Sequence, residues 1–383
     1  MRRSRIAVVG FGVAGATAAA LLAEQGHEVV LFEQAPALEP VGAGVLLQPS
    51  GQLVLERLGI LDAVTQSSEE IDRIVARTNH GRVILDLAYA DGGNSLHGLG
   101  VARSTLHEAL SALAGRAGVE VRVSTEIVAH RGGSLTDSAG ARHGPFGLVV
   151  GADGSASALR AQSGLVRWSH EYAYGALWTV GRTSHVRGEL RQVVRGTRDL
   201  LGLLPLGVGR CNFFFSQRHD DFAQVVDRGF AAWRDRVLAL CPDSEEVLAH
   251  VEDFDGLALT GYRHVVLRRP YDDALVLIGD AGHAMSPHLG QGVNLALIDA
   301  WTLARCVERE QACEPALASY AGARRAHLRF YAATTMALSP FFQGDGRLLG
   351  FARDTGLPLV QRVGPLRRLM ARTMSGLILS RPP

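Results

Sequence analysis

Three glycines near the N-terminus constrain the fold of this chain more than any other feature. They form the pattern Gly10-Phe-Gly12-Val-Ala-Gly15, which follows a short apolar run and precedes an apolar segment that favours a helix. A second apolar run at 28–32 completes a strand–helix–strand order, the context in which this pattern is specific. Gly10 permits a tight turn, Gly12 lets backbone approach a pyrophosphate, and Gly15 lets the helix pack closely on the strand. The sequence therefore predicts a dinucleotide-binding βαβ unit.

Glu33 stands at the end of the second apolar run. From there its carboxylate would accept hydrogen bonds from both ribose hydroxyls of a dinucleotide, and it would repel the extra phosphate of NADP. The helix that begins near Ala14 would direct its N-terminal N–H groups at the pyrophosphate. This unit does not distinguish NAD from FAD. A glycine turn before an ordinary core helix is the structural alternative, and an export signal is a further explanation of the basic, apolar start.

Composition narrows the class of protein. The chain has 383 residues, of which 47% are apolar and 20% charged, so it is globular and long enough for two domains. A net charge of +1 gives no electrostatic footprint for nucleic acid. All 39 basic residues are arginine, which excludes a lysine Schiff base. The four cysteines form no C-x-x-C pair, so we expect reduced thiols in a cytoplasmic protein, with no metal site.

The order of predicted elements indicates an α/β protein with a Rossmann-like nucleotide-binding domain that is discontinuous in sequence. Strand–helix alternation occurs in three separate stretches, and strand-rich stretches that are broken by Gly and Pro lie between them. From about residue 315 onward the pattern is mostly helical. The predicted division is a nucleotide-binding domain at 1–72, 101–168 and 270–335, an inserted mixed β-sheet substrate domain at 73–100 and 169–269, and a helical C-terminal segment at 336–383.

Further motifs follow other apolar runs or precede predicted helices. They are Arg103-Ser-Thr-Leu-His-Glu-Ala-Leu110; Gly151-Ala-Asp153-Gly154-Ser155, with Arg160 after it; and Gly279-Asp280-Ala-Gly-His283, with Pro287 and Gly290-Gln291-Gly292-Val293-Asn294 after it. Together with the first glycine pattern they resemble the single-component FAD-dependent aromatic hydroxylases, the family of the p-hydroxybenzoate, salicylate and ubiquinone-pathway hydroxylases. The resemblance extends from residue 5 to about 335, and the stretch 279–294 is its most specific part.

The resemblance implies a site for non-covalently bound FAD. Asp280 would hydrogen-bond the ribityl chain, and an N-cap of the next helix is the structural alternative for it. Pro287 would line the flavin edge, and Gly290 and Gly292 would bring backbone N–H groups to the pyrimidine end of the ring; these three form the predicted catalytic loop. The implied cofactor-binding residues are Gly10, Gly12, Ala14, Gly15, Glu33, Gln48, Arg103, Asp153, Gly154, Arg160, Gly279, Asp280, Gly290, Gln291, Gly292, Val293 and Asn294.

The segment Val41–Pro49 looks like the mobile flavin-side loop of this family, with two departures. An arginine that often precedes its glycines is missing, and Ser50 stands where asparagine is common. The implied activity is that of a monooxygenase. NAD(P)H reduces FAD, dioxygen adds to give a flavin hydroperoxide, and one oxygen atom passes to an aromatic or other apolar cyclic small molecule by hydroxylation or epoxidation.

Substrate residues are not identified by any motif. Side chains of the β domain would cover the flavin, and His97 and Tyr174 are the candidates for a general base. Each candidate is also explained by ordinary core packing. His283 is predicted to hold the loop after Asp280, and the role of His288 is open. The candidate pocket residues are Tyr89, His97, Tyr174, Trp178, Phe213 and Phe215.

Several alternatives stay open at this point. A flavin-dependent halogenase is disfavoured because the chain lacks the lysine and the W-x-W-x-I-P string of that class. A same-fold flavin reductase or oxidase without oxygen insertion and a non-catalytic FAD-binding protein are not excluded. The arginine-rich tail, Arg362–Arg381, predicts either a solvated helix packed on the domain or a basic amphipathic helix at a membrane surface. Both a monomer and a homodimer are compatible with the sequence.

Overall fold

The computed structural model describes residues 1–39, 43–93 and 95–379. Val41 and Gly42 of the predicted flavin-side loop, and Arg381 of the tail, therefore lie outside the described residues. The strands are β1 (Arg5–Val9), β2 (Glu28–Phe32), β3 (Gly44–Leu47), β4 (Glu69–Ile71), β5 (Arg73–Thr78), β6 (Val83–Ala88), β7 (Gly98–Ala102), β8 (Glu120–Arg122), β9 (Ile127–Arg131), β10 (Ser134–Asp137), β11 (Arg142–His143), β12 (Leu148–Gly151), β13 (Val166–Arg182), β14 (Glu189–Arg195), β15 (Asp199–Gly207), β16 (Arg210–Arg218), β17 (Ala258–Leu267), β18 (Tyr271–Asp272) and β19 (Leu275–Leu277).

Helices connect these strands and make up the end of the chain. They are α1 (Val13–Glu24), α2 (Pro49–Arg57), α3 (Leu61–Thr65), α4 (Arg103–Arg116), α5 (Ala158–Gln162), α6 (Phe222–Asp227), α7 (Phe230–Leu240), α8 (Ser244–Val247), α9 (Asp280–His283), α10 (Gly292–Arg309), α11 (Cys313–Phe342), α12 (Arg347–Val360) and α13 (Gly364–Met374). In the described part of the chain, no helix combines the length and the apolar character needed to cross a bilayer.

A six-stranded sheet organises the nucleotide-binding part. Its order is β18-β19-β12-β1-β2-β8, and β18 alone among these strands runs antiparallel to its neighbour. Strands β12 and β19 are apolar along their whole length, and β1 and β2 are apolar after their first residue. Helices α1, α4 and α10 pack on one face of these strands, and a second cluster covers the other face. The carboxyl ends of β1, β12 and β19 meet at one edge, where α/β proteins place their ligands.

A seven-stranded mixed sheet forms the second layer, in the order β17-β13-β16-β15-β14-β5-β6. Helices α7 and α8 pack on one face of this sheet, around Trp233 and Val247. A third sheet, β3-β7-β4, lies between the two larger ones. Its Gly100 approaches β15 so closely that a Cβ would lie 1.8 Å from the carbonyl oxygen of Pro205. Direct backbone contact therefore joins the third sheet to the mixed sheet.

The predicted fold class is confirmed: the chain is α/β, with a Rossmann-like nucleotide-binding fold, a mixed sheet and a helical C-terminal region. The structure differs from the expectation in detail. The stretch 222–240 has the apolar spacing of one helix, but Gly229 has φ +86° and divides it into α6 and α7. The small antiparallel sheet β9-β10-β11 was not predicted, because its short strands have no clear alternation. The proposed domain boundaries stay a prediction.

Candidate active site

A cleft of about 340 Å³ opens at the carboxyl edge of the six-stranded sheet. The loop after β1, the end of β2, the start of α4, the loop after β12 and the starts of α9 and α10 form its wall. Eight of the predicted cofactor residues line it: Gly12, Ala14, Glu33, Arg103, Gly154, Asp280, Gly292 and Val293. The tertiary structure thus brings together residues that are separated by up to 281 positions in the sequence.

The glycine loop between β1 and α1 has the geometry that the sequence predicts. Gly10 has φ +99°, and its N–H donates to the carbonyl oxygen of Phe32 at 2.8 Å. A Cβ on Gly15 would lie 1.9 Å from the carbonyl oxygen of Gly10, so only glycine lets α1 begin there. Gly12 differs from both, since a Cβ on it would meet no protein atom within 4 Å. The space beside Gly12 is therefore left for a ligand.

Glu33 is held by backbone N–H groups at the mouth of this loop. Its Oε2 accepts from the N–H of Phe11 at 2.7 Å, and its Oε1 accepts from the N–H of Ala35 at 2.9 Å. A carboxylate has about four lone-pair sites, so each oxygen keeps capacity for a hydroxyl of the ligand. The carboxylate is thereby oriented before any ribose arrives.

An acidic and a basic side chain face each other across the cleft. The carboxylate of Asp280, the first residue of α9, is exposed to the cleft and has no hydrogen-bond partner among the described residues. The walls around the Arg103 guanidinium desolvate it and lower its pKa, and the charge of Asp280 opposes this shift. Asp280 is not the N-cap that the structural alternative requires, because Gly279 occupies that position.

The loop after β12 is tied to the Asp280 turn by Arg160. This side chain is 4% exposed, and its Nη1 donates to the carbonyl oxygens of Asp280 at 3.2 Å and Ala281 at 3.1 Å. Asp153 accepts from the N–H of Leu159 at 3.2 Å and so orients the start of α5. The side chains of Asp153 and Arg160 therefore order the backbone around the cleft, whereas Gly154 lines it.

Asn294 connects the segment around Gln48 to the turn that precedes α10. Asn294 Oδ1 accepts from the N–H of Gln48 at 2.8 Å, and its Nδ2 donates to the carbonyl oxygens of Gly290 at 2.9 Å and Leu46 at 3.2 Å. Gly290 has φ +59° in the turn that precedes α10. The side chain of Gln291 points elsewhere, since it donates to the carbonyl oxygen of Met374 at 2.7 Å. The side chains of Asn294 and Gln291 are thus engaged within the protein, which leaves the backbone groups of this turn available.

The N-terminus of α10 supplies those groups. Gln291, the N-cap of α10, makes no side-chain capping hydrogen bond, and Gly292 and Val293 in the first turn line the cleft. First-turn N–H groups have no partner within a helix, and they carry the positive end of the helix dipole. This end of α10 therefore favours an electron-rich ligand edge.

A buried charged cluster supports the Asp280 turn, and the sequence analysis did not find it. Asp299 on α10 is fully buried and accepts from the N–H of Gly279 at 2.9 Å, from His283 Nε2 at 2.5 Å and from Arg324 Nε at 2.6 Å. Burial alone would raise the pKa of Asp299, but the charges of His283 and Arg324 and the hydrogen bonds hold it well below its ordinary value. His283 thus holds the turn, as expected. Asp299 and Arg324 belong to no motif, and the spacing of 25 residues between them gives no signal.

Two of the aromatic pocket candidates belong to the core instead. Phe213 and Phe215 are at most 1% exposed and pack edge-on against Trp233 of α7, on the face of the mixed sheet away from the cleft. Phe214, which was not predicted, is half-buried on the opposite face of β16, and it packs against the same core cluster of the mixed sheet as Phe342 of α11 does. Successive side chains along a strand point to opposite faces of the sheet. Only the strand register shows whether Phe213 and Phe215, or Phe214, face the nucleotide-binding part of the protein.

The other candidates are also engaged in the structure. The hydroxyl of Tyr89 is buried and donates to Gln48 Oε1 at 2.6 Å. Tyr174 donates to Asp345 Oδ1 at 3.0 Å; burial and Asp345 raise its pKa to about 12. Trp178 Nε1 donates to Thr260 Oγ1 at 2.8 Å. The structure gives His97 one hydrogen bond, from Gln52 to its backbone carbonyl.

His288 lies between the predicted catalytic Pro287 and Gly290. Its Nδ1 is 2.9 Å from Ser286 Oγ, whereas its Nε2 is buried and has no hydrogen-bond partner among the described residues. Burial lowers the pKa of His288 to about 4, so the ring is neutral near pH 7. Its ring centroid is 6.0 Å from that of Phe342. Pro287 itself is exposed.

This fold and cleft define a two-layer flavoprotein of the Rossmann-like type. Comparison with known proteins agrees: residues 3–334 match the family model of the FAD binding domain. The chain belongs to this FAD-binding family, and its resemblance to the FAD-dependent aromatic hydroxylases is confirmed.

The chain is similar to monooxygenases over most of its length. It is 31% identical over 343 residues to the 3-amino-4-hydroxybenzoate 2-monooxygenase of Streptomyces cremeus, which covers 84% of each chain. It is 26% identical to the aurachin C monooxygenase/isomerase of Stigmatella aurantiaca over 97% of each chain. The tetrameric form of 2-methyl-3-hydroxypyridine-5-carboxylic acid oxygenase superposes with a TM-score of 0.77 at 26% identity, covering 88% of this chain and 93% of the other. The chain is an FAD-dependent monooxygenase.

Proposed function

We propose that this enzyme uses NAD(P)H and dioxygen to hydroxylate a planar, mostly apolar aromatic ring that carries a hydroxyl or ring N–H group. The proposal rests on the position of three half-buried aromatic side chains, Phe214, His288 and Phe342. Phe214 and Phe342 pack on the same core cluster of the mixed sheet, and the ring of Phe342 lies 6.0 Å from that of His288 in the loop that leads into α10. The relatives named above act on a hydroxybenzoate and on a hydroxypyridine carboxylic acid, which are substrates of this kind.

The residues that line the cleft suit FAD. Glu33, already oriented by two N–H groups, would accept from the adenosine ribose, and the open space beside Gly12 would admit the pyrophosphate. Asp280 would accept from the ribityl hydroxyls, which accounts for a carboxylate without a protein partner. The first turn of α10 would face the pyrimidine end of the ring, where negative charge develops on reduction. Bound FAD would supply the electron transfer from NAD(P)H and the activation of dioxygen, which side chains cannot provide.

His288 is proposed to select the substrate. A neutral imidazole with one free nitrogen forms a hydrogen bond to a hydroxyl or a ring N–H, and a site of this kind discriminates against analogues that lack the group. Tyr174 does not suit the role of general base, because its hydroxyl already donates to Asp345 and its raised pKa keeps it protonated near pH 7. His97 stays an untested candidate.

The test is a direct assay of the purified enzyme. We expect a yellow protein whose NADH or NADPH oxidation is accelerated by hydroxybenzoates, hydroxypyridines or 4-quinolones, with one atom of ¹⁸O₂ in the product. Acceleration without oxygenated product would contradict the proposal and indicate an oxidase or a reductase. Failure of both nicotinamides to reduce the flavin would also contradict it.

A matched pair of variants tests His288. His288→Gln is expected to lower kcat/KM about fivefold for the accepted substrate, since one hydrogen bond to a neutral group contributes about 1 kcal/mol. His80→Gln, at an exposed position in the β5–β6 turn, is the control and should leave kcat/KM unchanged. An unchanged kcat/KM for His288→Gln would remove this residue from the substrate site.

A further inference from the structure

Exposed apolar side chains are concentrated at the end of the chain. Fourteen large apolar residues are exposed in the described part of the protein, and nine of them lie between 336 and 379. They are Met336, Leu348, Phe351, Leu359, Val360, Val363, Leu366, Leu369 and Leu379. Scattered exposed apolar residues are ordinary, but a concentrated set marks an interaction surface.

These side chains share faces of two consecutive helices. On α12, Leu348 is 83% exposed, Phe351 is 70% exposed and Leu359 is 60% exposed. Separations of three and eleven residues place them along one side of a helix. On α13, Leu366 and Leu369 are 41% and 49% exposed and lie one turn apart. We call the set formed by these five residues the C-terminal apolar face.

The opposite sides of the two helices are anchored to the protein. Ala371 is 1% exposed, and the backbone carbonyl of Thr373 accepts from the hydroxyl of Tyr331 at 2.9 Å. Gln361, after α12, accepts from the N–H of Asp86 at 2.9 Å. The C-terminal apolar face therefore cannot turn inward without breaking these contacts.

The charges around the C-terminal apolar face indicate which kind of partner it binds. From 355 to 379 the chain has four arginines and no aspartate or glutamate. Arg367 pairs with Asp91, whereas Arg362, Arg368 and Arg372 are exposed and form no ion pair with any residue in the described ranges. Arginines that surround exposed apolar side chains are the pattern of a helix that binds an anionic membrane surface. A two-fold contact with a second copy would instead place these arginines against themselves.

We propose that α12 and α13 bind the protein peripherally to anionic lipid bilayers, with the C-terminal apolar face in the headgroup region. Phe351 and Leu366 enter the interface, and Arg362, Arg368 and Arg372 contact lipid phosphates. This binding does not depend on the catalytic proposal, because none of these residues lines the cleft.

The FAD-loaded, full-length enzyme is sedimented with vesicles of equal parts phosphatidylglycerol and phosphatidylcholine, and with phosphatidylcholine vesicles alone. We expect binding to the anionic vesicles that weakens as the Debye length falls from about 8 Å at physiological ionic strength to about 3 Å at 1 M salt. Absence of binding to anionic vesicles at low salt would overturn the proposal. So would equal binding to the neutral vesicles.

Substitutions on α12 and α13 test whether vesicle binding depends on the C-terminal apolar face and its arginines. Arg368→Gln with Arg372→Gln is expected to weaken binding about 25-fold, since each arginine near an anionic surface contributes about fivefold. Phe351→Ser with Leu366→Ser should weaken it by at least about tenfold. The controls are Arg57→Gln and Val208→Ser, which remove an exposed arginine and a 73% exposed apolar side chain elsewhere and should bind as the parent does.

Flavin absorbance and the thermal midpoint of each variant verify that it is folded. If size-exclusion chromatography shows a dimer that the Phe351→Ser, Leu366→Ser protein loses, while vesicle binding is unchanged, the face is a contact between two copies and the proposal is wrong.

Discussion

At the scale of single residues, the three glycines of the loop after β1 meet different physical requirements. Gly10 supplies a positive φ, and Gly15 avoids a collision with the carbonyl oxygen of Gly10. Gly12 has φ −78° and free space beside it, so nothing in the protein itself requires glycine there. A substitution at Gly12 therefore separates cofactor binding from folding.

Gly12→Ala is expected to fold with a change in the free energy of unfolding of the apoprotein below about 1 kcal/mol, because an N-cap alanine costs no more than this relative to glycine. Its affinity for FAD should fall at least about tenfold, since the new methyl group occupies the space that we assign to the pyrophosphate. Flavin fluorescence during titration of the apoprotein measures this. Gly15→Ala is the comparison and should lose both folding and binding. A Gly12→Ala protein that binds FAD normally would contradict the assignment.

At the scale of elements, the register of β16 and the length of α10 determine which side chains reach the site. One residue along β16 separates Phe213, in the core, from Phe214, on the face toward β3 and β7. Helix α10 presents its N-terminus to the cleft and, two turns later, presents Asp299 to the turn before Asp280. The same helix thereby lines the cleft and supports the Asp280 turn.

Because neighbouring side chains on β16 point to opposite faces of the sheet, substitutions of Phe214 and Phe215 should have different effects on KM and on stability. Phe214→Ala should raise KM for the substrate with a small change in stability, because this side chain is only partly buried. Phe215→Ala should lower the free energy of unfolding by about 3–5 kcal/mol, as expected of a buried phenylalanine, and should leave KM near the parent value. Steady-state kinetics and urea unfolding distinguish the two. A shared phenotype would show that Phe214 is also core.

Asp299→Asn tests the support given by α10. The substitution keeps the shape of the side chain but leaves Arg324 buried without a counter-charge, so we expect a loss of about 3–5 kcal/mol in the free energy of unfolding. Faster release of FAD should accompany it, because the amide has one acceptor oxygen where the carboxylate has two, so either the N–H of Gly279 or Arg324 loses its acceptor. Urea unfolding and flavin release measure these effects. The exposed Asp62→Asn is the control, expected within about 0.5 kcal/mol of the parent. If Asp299→Asn also falls within that range, the cluster does not support the turn.

At the scale of the whole molecule, the C-terminal segment packs against the residues that form the site. His327 on α11 is 1% exposed, accepts from Arg324 Nη1 at 2.7 Å and lies 3.3 Å from the carbonyl oxygen of Gly376. Ser50 donates its N–H to Ser375 at 3.1 Å. The buried charges thus connect the Asp280 turn to the last described residues of the chain.

This connection predicts how stability depends on pH. Burial, and then the charge of Arg324, lower the pKa of His327 from 6.5 to about 4. Between these values the unfolded chain binds a proton that the folded chain does not. The group has no effect above pH about 6.5, and it destabilises the protein as the pH falls toward 4, by at most about 1.4 kcal/mol per pH unit. Urea unfolding at several pH values should show that His327→Gln reduces this slope by about one proton. An unchanged slope would contradict the assignment.

Sequence alone was sufficient where a local pattern has one physical explanation. The loop after β1 needs glycines at fixed spacing because backbone and ligand leave no room for side chains, and Glu33 must follow the next strand because the two strands are parallel neighbours. The α/β class and the use of FAD were therefore predictable from the residues and from the family resemblance that their motifs carry.

Tertiary structure alone decided the features that depend on contacts between distant segments. Asp299 and Arg324 meet because α10 and α11 pack antiparallel, and no spacing rule connects them. Phe214 rather than Phe213 faces the cofactor domain because of strand register, which a run of three phenylalanines leaves ambiguous. The outward orientation of Phe351 and Leu366 follows from which sides of α12 and α13 are anchored, since burial depends on where the rest of the chain lies.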